Sequence, residues 1–119
     1  MDSTIESPKT IDAYHLLMSV GVPITVHGYR YITKAIDILM GDEDAAFAIT
    51  KHVYMKIADE YGIELKQVES AMMGAIERAW KNGRCDFQEM VFGYSRMEGR
   101  RPCISEFLCR IAEYLKLYN

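Results

Sequence analysis

Apolar residues recur along this chain at helical spacing, and strict apolar–polar alternation is almost absent. Ile11, Tyr14, Leu17 and Met18 predict a short first helix over residues 11–19 with those four side chains inward. Gly21-Val22-Pro23 ends it, because proline lacks a backbone donor and restricts its predecessor. Residues 23–28 read as an extended connector, with Ile24 and Val26 pinning the chain to the core. A second helix over 29–40 places Ile32, Ala35, Ile36 and Leu39 on one side. Gly41-Asp42-Glu43-Asp44 ends that helix; Asp42 or Asp44 can cap the next helix, and Glu43 favours its first turn.

A third helix over 49–61 stops at Gly62. In the fourth, Leu65, Val68, Ala71, Met72, Ala75, Ile76, Ala79 and Trp80 form a long apolar stripe, so Trp80 is expected to be buried. Asn82-Gly83 predicts a stop, with the glycine free to adopt positive φ. Asp86 predicts the cap of a short helix through Phe92, closed by Gly93. Residues 95–103, with Gly99, Pro102 and three arginines, read as an exposed loop. Ser105-Glu106 opens a last helix that docks through Phe107, Leu108, Ile111 and Leu115. The expected fold is all-α, a compact six-helix domain over residues 11–119 behind a flexible segment 1–10. Helix, glycine turn and helix over 49–81 are what a DNA-reading helix-turn-helix needs: one helix to brace and one to present.

With 119 residues, 50% of them hydrophobic, the chain suits one domain with one core. Its net charge of −3 does not decide for or against nucleic acid, because a small reader needs a basic patch and not a basic total. The distribution is more informative: residues 37–64 hold seven acids and two lysines, whereas 78–101 hold six bases and three acids. One side should be acidic and another mildly basic. Cys85, Cys103 and Cys109 are odd in number with no short paired spacing, so free thiols are expected. No stretch approaches the roughly 20 apolar residues needed to span a bilayer. The start of the chain has acids where a signal peptide would have bases. A soluble, cytoplasmic protein without a membrane partner is expected. His15, His27 and His52 are too scattered for a metal site, and there is no Gly-rich phosphate loop or nucleophile elbow. Neither catalysis nor a cofactor or metal is expected.

Opposite the stripe of the fourth helix stand Gln67, Ser70, Met73, Gly74 and Glu77, with Lys66, Arg78 and Lys81 as its cations. Lys66, Gln67, Ser70, Met73 and Lys81 are the candidate reading face. Gln67 can pair with adenine and Ser70 with a phosphate, whereas Met73 and Gly74 can do neither. Glu77 would repel phosphate, so it is expected past the groove or paired with Lys81 one turn on. Arg96, Arg100 and Arg101 could clamp a phosphate backbone beside the groove, supplying affinity without base discrimination. Lys51 and His52, near the start of the bracing helix, are candidates for a further phosphate contact. The competing expectation is a protein-interaction or dimerisation module. On that reading, Met73 beside Gly74 makes a soft apolar contact with a second copy or a related regulator.

Gly21-Val22-Pro23, His27-Gly28-Tyr29-Arg30-Tyr31-Ile32, Ala35-Ile36, Ile49-Thr50-Lys51, Ala79-Trp80, Phe92-Gly93-Tyr94 and Ser105-Glu106-Phe107 occur in an order that is fairly specific. With these blocks the chain resembles, over about residues 11–117, the C-terminal effector domain of stage zero sporulation protein A. The resemblance implies an all-helical domain that binds double-stranded DNA through a helix-turn-helix and regulates transcription in sporulation. It also implies a phosphoryl-accepting receiver domain that normally precedes the effector and controls dimer formation. Because the sequence begins only a few residues before the resemblance does, it is expected to be either a fragment of a longer chain or a stand-alone effector domain, with Met1 favouring the latter. The family's presenting helix carries basic and imidazole side chains near the positions of Gln67, Ser70, Met73 and Gly74. Weakened or altered promoter recognition is therefore implied as well.

Overall fold

The computed structural model describes residues 12–118, and among them every regular element is helical. The α-helices are α1 (Ala13–Val20), α2 (His27–Gly41), α3 (Met55–Tyr61), α4 (Leu65–Asn82), α5 (Cys85–Phe92) and α6 (Ile104–Leu117). Between α2 and α3 the chain passes through a 3-10 segment, Glu43–Ala48, and one wide π turn, Thr50–Tyr54. A second 3-10 turn, Arg96–Glu98, precedes α6. The all-α, six-helix expectation holds. The expected flexible segment 1–10 and the inward Ile11 lie outside the described residues.

Local chemistry accounts for most helix ends and for several departures from expectation. The Asp12 carboxylate caps α1 by accepting the His15 backbone N–H at 2.8 Å, and Gly21 closes that helix at φ +104°. Leu16, Leu17 and Val20 form its buried face, whereas Tyr14 and Met18 are exposed, so the buried face is displaced from the expected one by one position. Val22 is buried and Val26 half-buried, but Ile24 is exposed and does not pin the connector. Asp42 caps the 3-10 segment through the Asp44 N–H, as expected. Arg84, not Asp86, is the N-cap of α5; Asp86 stands in the first turn and pairs with Arg84 at 2.7 Å. Cys85, Cys103 and Cys109 are all free thiols.

Two glycines set how closely other backbone approaches α4. A Cβ on Gly28 would lie 2.2 Å from the Ala71 carbonyl oxygen and 2.7 Å from the Ala75 Cβ, so α2 crosses α4 nearly backbone to backbone. Gly83 ends α4 as expected but at φ −77°, without using the positive φ open to a glycine. Its requirement is spatial, since a Cβ there would stand 2.1 Å from the Val20 carbonyl oxygen. Around these contacts Val68, Met72, Ala75, Ile76, Ala79 and Trp80 are buried, and α6 closes the core with Phe107, Leu108, Ile111 and Leu115. Trp80, 4% exposed, meets Phe92 edge-on at 5.2 Å and Tyr94 at 5.6 Å, while Phe92 stacks on Phe107 at 5.3 Å.

Replacing Trp80 by alanine should cost about 3–5 kcal/mol in a denaturant titration, through lost packing and the cavity left behind. Gly28→Ala should cost about 1–3 kcal/mol or more, because the clash is with backbone that cannot rotate away. Burial pushes the Tyr54 phenol up to about 12. Burial, and then the hydrogen bond to Glu106, do the same for Tyr94. The unfolded chain ionises these groups near 10, so their stabilisation is complete below that pH and is lost as pH rises towards about 12. Unfolding midpoints measured across that window should fall, and Tyr54→Phe should flatten the fall.

Candidate nucleic-acid interface

Between α3 and α4 lie three residues, Gly62, Ile63 and Glu64. Gly62 takes φ +66°, and both its N–H and that of Ile63 bond to the Ala58 carbonyl. A Cβ at Gly62 would meet nothing, so this glycine is required for its conformation alone. Glu64 then caps α4 in a reciprocal box: its carboxylate accepts from the Gln67 backbone, and Gln67 Oε1 accepts the Glu64 N–H at 2.9 Å. That bond changes what Gln67 can offer a base. Pairing with adenine needs both the amide oxygen and the amide N–H, and the oxygen is already engaged.

Along the outward side of α4, Ser70, Gly74, Glu77 and Lys81 are exposed in line, with Lys66, Gln67 and Arg78 beside them. Met73 was expected on this surface as an exposed side chain, yet it is half-buried. It sits on the edge of the stripe shared by Ile76 and Trp80, one and two turns further on. No atom lies within 4 Å of a Cβ placed on Gly74, so nothing within the chain requires glycine there. The N-terminus of α2 abuts this surface: His27, Tyr31, Glu64, Lys66, Gln67 and Ser70 share an open groove of about 640 Å³. His27 also lines a smaller groove with Ser70, Gly74 and Arg78.

The arginine segment is not the free loop its composition suggests. Its arginine side chains are exposed, but Ser95 and Pro102 are buried and the backbone between them is tied to α4. Trp80 Nε1–H donates to the Arg100 carbonyl, and the Arg96 guanidinium donates to the Gly83 carbonyl at the end of α4. Arg101 Nη1 reaches Glu77 Oε2 at 2.7 Å, so Glu77 pairs with Arg101 and not with Lys81. The Arg100 guanidinium lies 3.8 Å over the Tyr94 ring. Ser95 and Glu98 cap the short 3-10 turn reciprocally, and Gly99 closes it at φ +70°.

Sequence reasoning missed Gln88. Its side chain is fully buried on α5, where Nε2 donates to the carbonyls of Trp80 at 3.1 Å and Ala79 at 3.4 Å. Oε1 accepts the Arg96 N–H at 3.0 Å, so one amide joins the end of α4 to the start of the arginine segment. The available signal was a lone amide between Phe87 and Val91 on an amphipathic helix, but its partners are eight or nine residues away. Among the candidates, Lys81, Arg96, Arg100 and Arg101 converge on the C-terminal half of α4, and Lys66, Gln67, Ser70 and Met73 occupy its N-terminal half. Lys51 and His52 are exposed in the π turn before α3, on a separate segment.

Compared with known protein families, residues 13–115 match the one described as Sporulation initiation factor Spo0A C terminal. The chain belongs to that family. The Spo0A C-terminal family comprises DNA-binding effector domains of sporulation control, which are regulatory and not a known enzyme family. A helix, a three-residue turn and a presenting helix are compatible with the helix-turn-helix of such domains. Among the described residues, no helix is long and apolar enough to cross a membrane.

Gln88→Leu keeps the volume of the side chain but leaves the Arg96 N–H and a helix carbonyl without partners. It should lower stability by about 2–6 kcal/mol in a denaturant titration, since each of the two buried polar groups left unpaired costs about 1–3 kcal/mol.

Proposed function

We propose that this domain is a cytoplasmic transcription regulator that holds double-stranded DNA mainly by its phosphates and reads few bases. The arginine segment, bonded to α4 through Trp80, Gly83 and Glu77, carries this reading. It sets guanidinium groups beside the outward side of the presenting helix, where the flanking strand of a duplex runs when such a helix enters the major groove. Lys66, Lys81, Arg96, Arg100 and Arg101 are the phosphate contacts on this reading, with Lys51 and His52 adding contacts from the bracing side. Base reading falls to Ser70 and the free amide N–H of Gln67, with Met73 supplying apolar contact at most. The half-burial of Met73 weakens the alternative in which that methionine is the centre of a protein-docking patch.

Charge pairing sharpens the test. Glu77 holds Arg101, so a phosphate must compete with a carboxylate for that guanidinium. Glu77→Gln should therefore tighten binding to mixed-sequence duplex at low salt several-fold and steepen the salt dependence. Arg100→Ala with Arg101→Ala should weaken binding to every sequence and flatten the logarithmic salt slope by roughly 0.9 for each phosphate no longer neutralised. Ser70→Arg with Met73→Arg should strengthen binding by adding charge to the groove-facing side. Fluorescence-anisotropy titrations at two salt concentrations measure all three. If the wild-type protein shows no binding at low salt, or Glu77→Gln leaves affinity unchanged, this face does not meet DNA.

A further inference from the structure

Given the DNA-binding role proposed above for α4, we infer that His27 and Arg78 form a second phosphate clamp, on the flank of α4 opposite the arginine segment, and that protonation of His27 tightens the hold on DNA. Helical geometry separates the two flanks. Glu77 lies on the side that meets Arg101. Gln67, Ala71, Gly74 and Arg78 follow one another at spacings of four, three and four residues, so they share the other side. That side faces the first turn of α2, which the Gly28 contact holds against Ala71. His27 opens this turn and is exposed, as is Arg78.

His27 and Arg78 line one groove of about 270 Å³, together with Ser70 and Gly74. Its floor is low, since Ser70 is small and nothing lies within 4 Å of a Cβ placed on Gly74. A sugar-phosphate strand can therefore lie against the two cations without meeting a long side chain. A helix in the major groove is bordered by the phosphates of both strands. The arginine segment serves one of these rows, because its bonds to Glu77 and Gly83 keep it on its own flank. His27 and Arg78 serve the other. Neither is in an ion pair among the described residues, so a phosphate displaces no carboxylate from them, in contrast to Arg101.

The charged and titratable groups around His27 leave it open to an anion. Glu64 and Lys66 face it across the larger groove and Arg78 across the smaller one, and Tyr29, Arg30 and Tyr31 flank it on α2 itself. Glu64 is the only acid among them. Histidine ordinarily gains its charge between about pH 8 and pH 5. A bound phosphate and the imidazole proton therefore favour one another, and the affinity for DNA rises as pH falls.

Anisotropy titrations of the full chain with mixed-sequence duplex, at about pH 7.5 and about pH 5.5 and at two salt concentrations, test the clamp. All proteins carry His52→Gln, which removes the other imidazole proposed to touch DNA. The reference protein should bind several-fold tighter at the lower pH, with a logarithmic salt slope steeper by up to roughly 0.9 for one more neutralised phosphate. His27→Gln should abolish that change of slope. His27→Lys should bind at the higher pH as tightly as the reference protein binds at the lower one. Arg78→Gln should flatten the slope by roughly 0.9 at both pH values. Both side chains are exposed, so none of these substitutions should move the unfolding midpoint. A pH-dependent slope that persists undiminished in His27→Gln, or an unchanged slope in Arg78→Gln, overturns the clamp. If Arg100→Ala with Arg101→Ala weakens binding in the same titrations, that failure leaves the DNA-binding role of α4 standing. Absence of binding at low salt at either pH overturns both.

Discussion

The candidate face is built on the backbone of α4, and two contacts that only glycine permits hold that backbone in place. At Gly28, α2 comes so close that a single methyl group would strike the Ala71 carbonyl. At Gly83, the end of α4 meets the Val20 carbonyl with as little room. Between these points, the buried stripe from Val68 to Trp80 leaves only one side of α4 to solvent. The outward row of Ser70, Gly74, Glu77 and Lys81 is thus a consequence of where α2 and the end of α1 can approach. The arginine segment inherits the same frame, since its bonds run to Trp80, Gly83 and Glu77.

Electrostatics on this frame are uneven. Glu64 places a carboxylate at the N-terminus of α4, the end that a presenting helix usually brings to base edges. At the other end, Lys81, Arg96, Arg100 and Arg101 gather, with Glu77 offsetting one of the four. Phosphate attraction is therefore concentrated away from the tip of the helix. Such a surface supplies affinity that depends on salt more readily than discrimination between sequences. The engagement of Gln67 in the cap points the same way, because the one side chain suited to adenine is partly occupied by its own backbone.

Much of the fold was legible because helical burial is periodic and local. Ile32, Ala35, Ile36 and Leu39 are all buried, as are the central positions of the α4 stripe. The turn at Gly62 was equally readable, since a glycine between two periodic segments has few other uses. What escaped was contact between residues far apart in sequence. Glu77 and Arg101 are 24 positions apart, and Trp80 and Arg100 are 20 apart. From spacing alone, Glu77 belonged with Lys81 and the arginines belonged to a free loop. Gly83 shows the same limit, because its need for space arises from Val20 and not from its neighbours. Gln88 was hidden for the opposite reason: its burial follows the helical pattern, but only its three remote partners make an amide suitable there.

The most direct test of DNA binding through this face is an amide and indole NMR titration of the ¹⁵N-labelled chain with duplex DNA at low salt. Trp80 is the sole tryptophan, and its indole N–H bonds to Arg100, so that signal reports on the junction of presenting helix and arginine segment. The largest shifts should fall on Ser70 to Lys81, on Arg96 to Arg101 and on the Trp80 indole. Shifts confined to Glu43–Ala48 and α6, or an unchanged spectrum at saturating DNA, would contradict a DNA-binding role for α4 and the arginine segment.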